Sequence, residues 1–115
     1  MIHGQKTKQL GREMNVRNAL LKTLSVSLIR DLKIQTTETK AKVLKPIVEK
    51  LVTKAKAGDI SSKRLISAKV GAAMTKKLVE VIAPKFKDRN GGYLRITKLN
   101  DRKSDAARMA QIEFV

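Results

Sequence analysis

One histidine, ten carboxylates and no cysteine are all that this 115-residue chain offers to acid–base, nucleophilic or metal chemistry. Catalysis needs such groups converging on one reacting atom. Here the acids are scattered, and His3 has no neighbour at ligand spacing. Asp101 and Asp105 flank Arg102 and Lys103, but two carboxylates do not make the ladder of oxygens a calcium loop requires. The pattern predicts ion pairing inside that loop. Gly91-Gly92 precedes a strand-like run rather than a helix, the wrong order for a phosphate loop, so its expected use is a tight backbone approach or a positive φ. The sequence therefore predicts no enzyme, no cofactor, no metal and no small-molecule substrate.

The chain is rich instead in cations. Twenty-six Lys and Arg against 10 Asp and Glu leave a net charge of +16, which would repel itself in a compact domain without a polyanionic partner. Residues 1–57 hold 13 cations and 4 acids, and residues 58–115 hold 13 and 6, so the charge is not confined to a detachable tail. A membrane-surface protein would gather its charge on one face of an amphipathic helix, and no stretch approaches the ~20 apolar residues of a membrane span. No membrane insertion is expected. The absence of cysteine fits a reducing, cytoplasmic compartment.

The aromatic content selects the mode of binding. Proteins that hold single strands stack bases on exposed rings, and Phe86, Tyr93 and Phe114 are the only rings here. Tyr93 is the one candidate for stacking. Recognition of folded RNA by shape and phosphate geometry is the expectation, with Arg89, Arg95, Lys98, Arg102 and Lys103 forming a basic cluster beside the C-terminal strands. A non-specific, DNA-compacting module shares this composition, but no recognition helix and no paired β-arm with an apolar wedge stands out.

These side chains need elements to position them. Residues 1–12 combine two glycines, three cations and no acid with little periodicity, and read as a flexible basic arm. Residues 13–115 read as a single α+β domain. From Asn15, a candidate N-cap, Leu20, Leu21, Leu24, Leu28 and Leu32 recur at helical spacing, with Arg17 on the same face; this predicts a helix to about Asp31. Ile34-Gln-Thr36 is short and extended. Thr37 then caps a long helix whose apolar face is Ala41, Leu44, Ile47, Val48, Leu51, Val52 and Ala55, with a kink expected at Pro46 and Gly58 closing it. Two more helices follow, one carrying Leu65, Ile66 and Ala68 up to Gly71, the next Met74, Leu78, Val81 and Ile82 up to Pro84. Two strands, Tyr93–Leu99 and Met109–Val115, close the chain, joined by a polar connector too long for a two-residue turn. The order α-β-α-α-α-β-β predicts helices packed on one face of a small three-stranded sheet.

Several of these stretches resemble one family. Leu10-Gly-Arg12, Arg17-Asn-Ala-Leu-Leu-Lys-Thr-Leu24, Ile34-Gln-Thr-Thr-Glu-Thr-Lys-Ala-Lys42, Pro46-Ile-Val-Glu-Lys-Leu51, Lys54-Ala-Lys-Ala-Gly-Asp59, Gly91-Gly-Tyr-Leu-Arg-Ile96 and Asp105-Ala-Ala with Met109-Ala-Gln-Ile-Glu113 are similar, in order, to bacterial large-subunit ribosomal proteins of family seventeen. The resemblance implies a structural constituent of the 50S subunit that binds 23S rRNA near the peptide exit region and touches neighbouring ribosomal proteins. It also implies arm contacts by His3, Lys6, Lys8 and Arg12, first-helix contacts by Arg17 and Lys22, and sheet-side contacts by Arg95, Arg102 and Lys103. The chain departs from the family pattern at Ile2 and Gly4, beside His3, and at Val16, where a histidine is common.

Overall fold

Helix starts and stops follow local chemistry over the residues that the computed structural model describes, 14–115. Helix α1 (Met14–Asp31) ends where Leu32 turns to a positive φ of 69° while its N–H still bonds the Leu28 carbonyl at 2.7 Å. Asn15 lies inside α1 rather than at its cap. Strand β1 (Lys33–Thr37) leads directly into α2 (Glu38–Ala57). The Thr37 hydroxyl accepts from the Lys40 N–H, and Gly58 closes the helix at φ 70°, its N–H on the Lys54 carbonyl. Both caps are the ones expected. Helix α2 runs on through exposed Pro46 and buries Ala41, Leu44, Val48, Leu51, Val52 and Ala55.

Helix α3 (Ile60–Val70) buries only Ile66 and Val70, one turn apart. Leu65 is 52% exposed and Ala68 is exposed, contrary to expectation: a helix at the periphery turns only a narrow apolar stripe inward. Helix α4 (Ala72–Lys77) passes without a break into a π-helical turn (Leu78–Ile82) and a last turn, α5 (Ala83–Lys85). In the wide turn the Ala83 N–H reaches back five residues to the Leu78 carbonyl. Pro84 follows at once. Its ring would crowd the carbonyl four residues earlier in a regular helix, and widening the preceding turn relieves that clash. The same turn rotates the apolar phase, so that Leu78 and Ile82 are buried while Val81 faces outward.

Strands β2 (Leu94–Lys98) and β3 (Met109–Phe114) complete an antiparallel sheet of order β1-β3-β2. The register aligns Ile34 with Ile112 and Ile112 with Ile96, placing these isoleucines in one row against the helices. Backbone bonds from Glu38 N–H to the Arg108 carbonyl and from Phe114 N–H to the Leu32 carbonyl tie the sheet to both flanking helices. Leu28, Ile29, Leu44, Val48, Val52, Ile66, Leu78, Ile82, Ala110 and Ile112 form one continuous core, aliphatic through the helices. Its sheet end is aromatic: Phe86 lies 5.2 Å from Tyr93 and 6.1 Å from Phe114, ring centre to ring centre.

Candidate nucleic-acid interface

Four of the residues expected to meet RNA, His3, Lys6, Lys8 and Arg12, lie outside the described residues. Arg17 is half-buried on the first turns of α1. Lys22 is exposed one turn later, at the mouth of a cleft where α1, α2 and α3 meet over Leu21, Ile47, Leu51 and Val70. Lys69 of α3 stands across that cleft.

Tyr93 does not stack on anything from outside. Its ring is 1% exposed, pressed against Phe86, and its hydroxyl receives hydrogen bonds from Thr53 (3.4 Å) and the Lys56 ammonium (3.3 Å). Those donors, Thr53 first and then the Lys56 charge, lower the phenol pKa against the opposing effect of burial. Lys56 also lies 5.2 Å above the ring centre and donates to the Arg89 carbonyl. Glu49, on the same helix, accepts from the Leu94 N–H at 3.3 Å. Thr53, Lys56 and Glu49 of α2 thus hold the start of β2 and the loop before it. Arg89 is carried on that loop with its side chain exposed.

The remaining sheet-side cations are exposed but have acidic partners. Arg95 is paired with Glu113 across the β2–β3 ladder (3.2 Å), and Arg102 with Asp105 (3.3 Å). Lys98 approaches Glu38 at 3.9 Å, where Lys42 already sits at 2.9 Å. The Arg102–Asp105 pair is the internal pairing expected of the connector. It is reinforced by the Ala107 N–H on the Asp105 carboxylate and by the Arg102 N–H on the Ala107 carbonyl. Lys103 is exposed beside it.

These residues are not one patch. Side chains alternate along a strand. Arg95 therefore stands on the outer face of the sheet, whereas Lys98 follows Leu94 and Ile96 to the side where α2 begins. Arg95 has instead a neighbour with no signal in the local sequence: Lys33 of β1 flanks Glu113 from the other side. Only the register of two strands far apart in sequence reveals it. Some lysines are structural. Lys77 donates to the Arg30 carbonyl near the end of α1, while Arg30 itself pairs with Asp31. Lys63, Arg64, Lys69 and Lys76 stand on the outer surfaces of α3 and α4, where the described residues show no ion pair to any of them. No helix of the described residues is long and apolar enough to cross a membrane.

The family model for ribosomal protein L17 matches residues 20–115. The large ribosomal subunit protein bL17 of Campylobacter jejuni is 50% identical over the whole chain and 99% of its own length. The proteins of the same name from Campylobacter concisus and Nautilia profundicola are 48% and 46% identical, again over the whole chain and 98% of their own lengths.

Proposed function

The chain belongs to the ribosomal protein L17 family and is a structural constituent of the large ribosomal subunit rather than an enzyme; from that premise we propose how it engages RNA. It binds folded 23S rRNA near the peptide exit region, beside other large-subunit proteins, in the cytoplasm. The full-length family match carries this reading, and the charge of +16 supplies its physics. Cations neutralise phosphates that crowd together as RNA segments fold, and release the counterions those phosphates had condensed. The α+β body then fixes the geometry of the junction. Residues 1–12 act as a basic arm ahead of a single domain over 13–115, with His3, Lys6, Lys8 and Arg12 following the RNA between helices. Arg17 and Lys22 extend that contact along α1. Arg89, Arg95, Lys98, Arg102 and Lys103 serve the sheet end, each on its own loop or face.

Sedimentation of the tagged protein from cells through a high-salt sucrose gradient tests this. Retention on 50S particles is expected, since a loosely held basic protein loses affinity steeply as salt rises. Release into the light fractions with recovery on chromosomal DNA would overturn it.

A further inference from the structure

The sheet is covered on one side only. Ile34, Thr36, Leu94, Ile96, Ala110 and Ile112 face the helices, while the alternate residues form a second face turned away from that core, met at its Met109 end by the Arg102 guanidinium of the connector, 3.4 Å from the sulfur. The register sets that face out in rows. Gln35, Gln111 and Thr97 lie side by side across the three strands, next to the row Lys33, Glu113 and Arg95. Gln35 and Thr97, on the edge strands, are exposed.

We propose that this bare sheet face docks against the minor groove of an RNA double helix, reading its 2′-hydroxyls with the Gln35–Gln111–Thr97 row. The inference rests on the ribosomal reading and specifies which form of RNA meets this surface. Three features select the occupant. The face has no aromatic ring, so it cannot stack unpaired bases as single-strand platforms do. Its middle row is polar and its one apolar strand residue, Met109, lies in the row at one end, unlike the apolar centre of a protein–protein interface. Its charges are arranged across the strands: Lys33 and Arg95 occupy the two margins, about 10 Å apart at the backbone for strands spaced by ~4.8 Å, with the Glu113 carboxylate between them. The Glu113 carboxylate at the centre repels phosphate, while Lys33 at one margin and, at the other, the Arg95 donors left over by its pair with Glu113 attract it. The two backbones of a duplex therefore fall on the margins, and the groove falls on the centre. The minor groove of A-form RNA is wide and shallow and displays 2′-hydroxyls. Each of these hydroxyls both donates and accepts, as do the glutamine amides and the threonine hydroxyl facing it.

The chain has no cysteine, so Gln111→Cys or Thr97→Cys gives a unique attachment point for an iron(II) chelate. Hydroxyl radicals generated in assembled large subunits should cut both strands of a single rRNA helix. Cuts confined to an unpaired segment, or no cuts and a crosslink from the same thiol to a neighbouring protein, would overturn the proposal. The triple variant Gln35→Ala/Thr97→Ala/Gln111→Ala should keep its fold and its salt dependence, yet bind ribosomal RNA about ten- to a thousandfold more weakly, the range for three lost hydrogen bonds. Replacing the 2′-hydroxyls of the cut helix by hydrogen should then cost the wild type affinity and the variant none; equal costs would also overturn it. Wild-type retention on 50S particles is measured in the same gradients. Its failure would count against the ribosomal reading, whereas retention with cuts elsewhere would count against this docking face alone.

Discussion

The helical end and the sheet end of the molecule handle charge in opposite ways. On α3 and α4, Lys63, Arg64, Lys69 and Lys76 stand outside an aliphatic core with no ion pair among the described residues. At the sheet, Arg95 and Arg102 are each held by a carboxylate, and the core beneath is built of touching rings. A mobile ammonium is suited to following phosphates wherever they run. A guanidinium fixed by a carboxylate presents its remaining donors in one geometry. The first arrangement supplies attraction, the second alignment.

Both ends depend most on the core they share. Ile112, fully buried at the centre of β3, joins the sheet to the helices, and Ile112→Ala should cost about 2–5 kcal/mol in urea unfolding. Leu65→Ala, on the exposed side of α3, should fall within about 0.5 kcal/mol of wild type. Lys56→Met comes next. It leaves the Arg89 carbonyl and the Tyr93 hydroxyl without their ammonium, which should cost about 1–3 kcal/mol and speed amide exchange in residues 86–93 while α1 exchanges as before. Uniform acceleration would show that the loop has no separate anchor.

Neutralising charge sharpens the contrast in binding. Lys63→Gln/Lys69→Gln/Lys76→Gln should flatten the plot of log affinity against log salt by up to about 0.7–0.9 for each phosphate contact removed, equally for all RNA duplexes. Arg95→Gln should lose more affinity per charge, because it also strips Glu113 of its partner. Equal losses per charge would erase the distinction between attraction and alignment.

What could be read from the sequence was what neighbouring residues decide. Thr37 and Gly58 announce the ends of α2 because capping is settled within a few residues, and the apolar face of α2 keeps its period over its whole length. The element order and the antiparallel final pair follow from the same local signals. The π-helical turn was not legible, since a helical period carries no mark of one extra residue, and it moved Val81 outward. Tyr93 looked available for stacking because its anchors, Thr53 and Lys56, are about forty residues away. The sheet cluster dispersed for a related reason: Arg95 and Lys98 are three apart, an odd number, and so face opposite ways. Glu113 and Lys33 became its neighbours through pairing that no local pattern specifies.

The smallest effect concerns the junction where the two ends meet. Glu38 opens α2, with Lys42 one turn along it and Lys98 arriving from the end of β2. The hydrogen bond from Lys42 is the largest influence on its carboxyl, followed among the favourable ones by the charges of Lys42, Lys98 and Arg108; together they outweigh burial and hold its pKa below the ordinary glutamate value. A carboxyl whose pKa is lower folded than unfolded binds a proton more readily in the unfolded chain. Its contribution is therefore complete above the unfolded pKa and is lost as pH falls through the folded one. Glu38→Gln should leave the slope of stability against pH unchanged near neutrality and make the decline below about pH 4.5 shallower, with the remainder due to other carboxyls such as Asp31, whose pKa is lowered by Arg30. Urea unfolding at stepped pH reads both curves. Parallel declines for the two proteins would mean that the lysines around Glu38 are too well solvated to favour its charged form in the folded state.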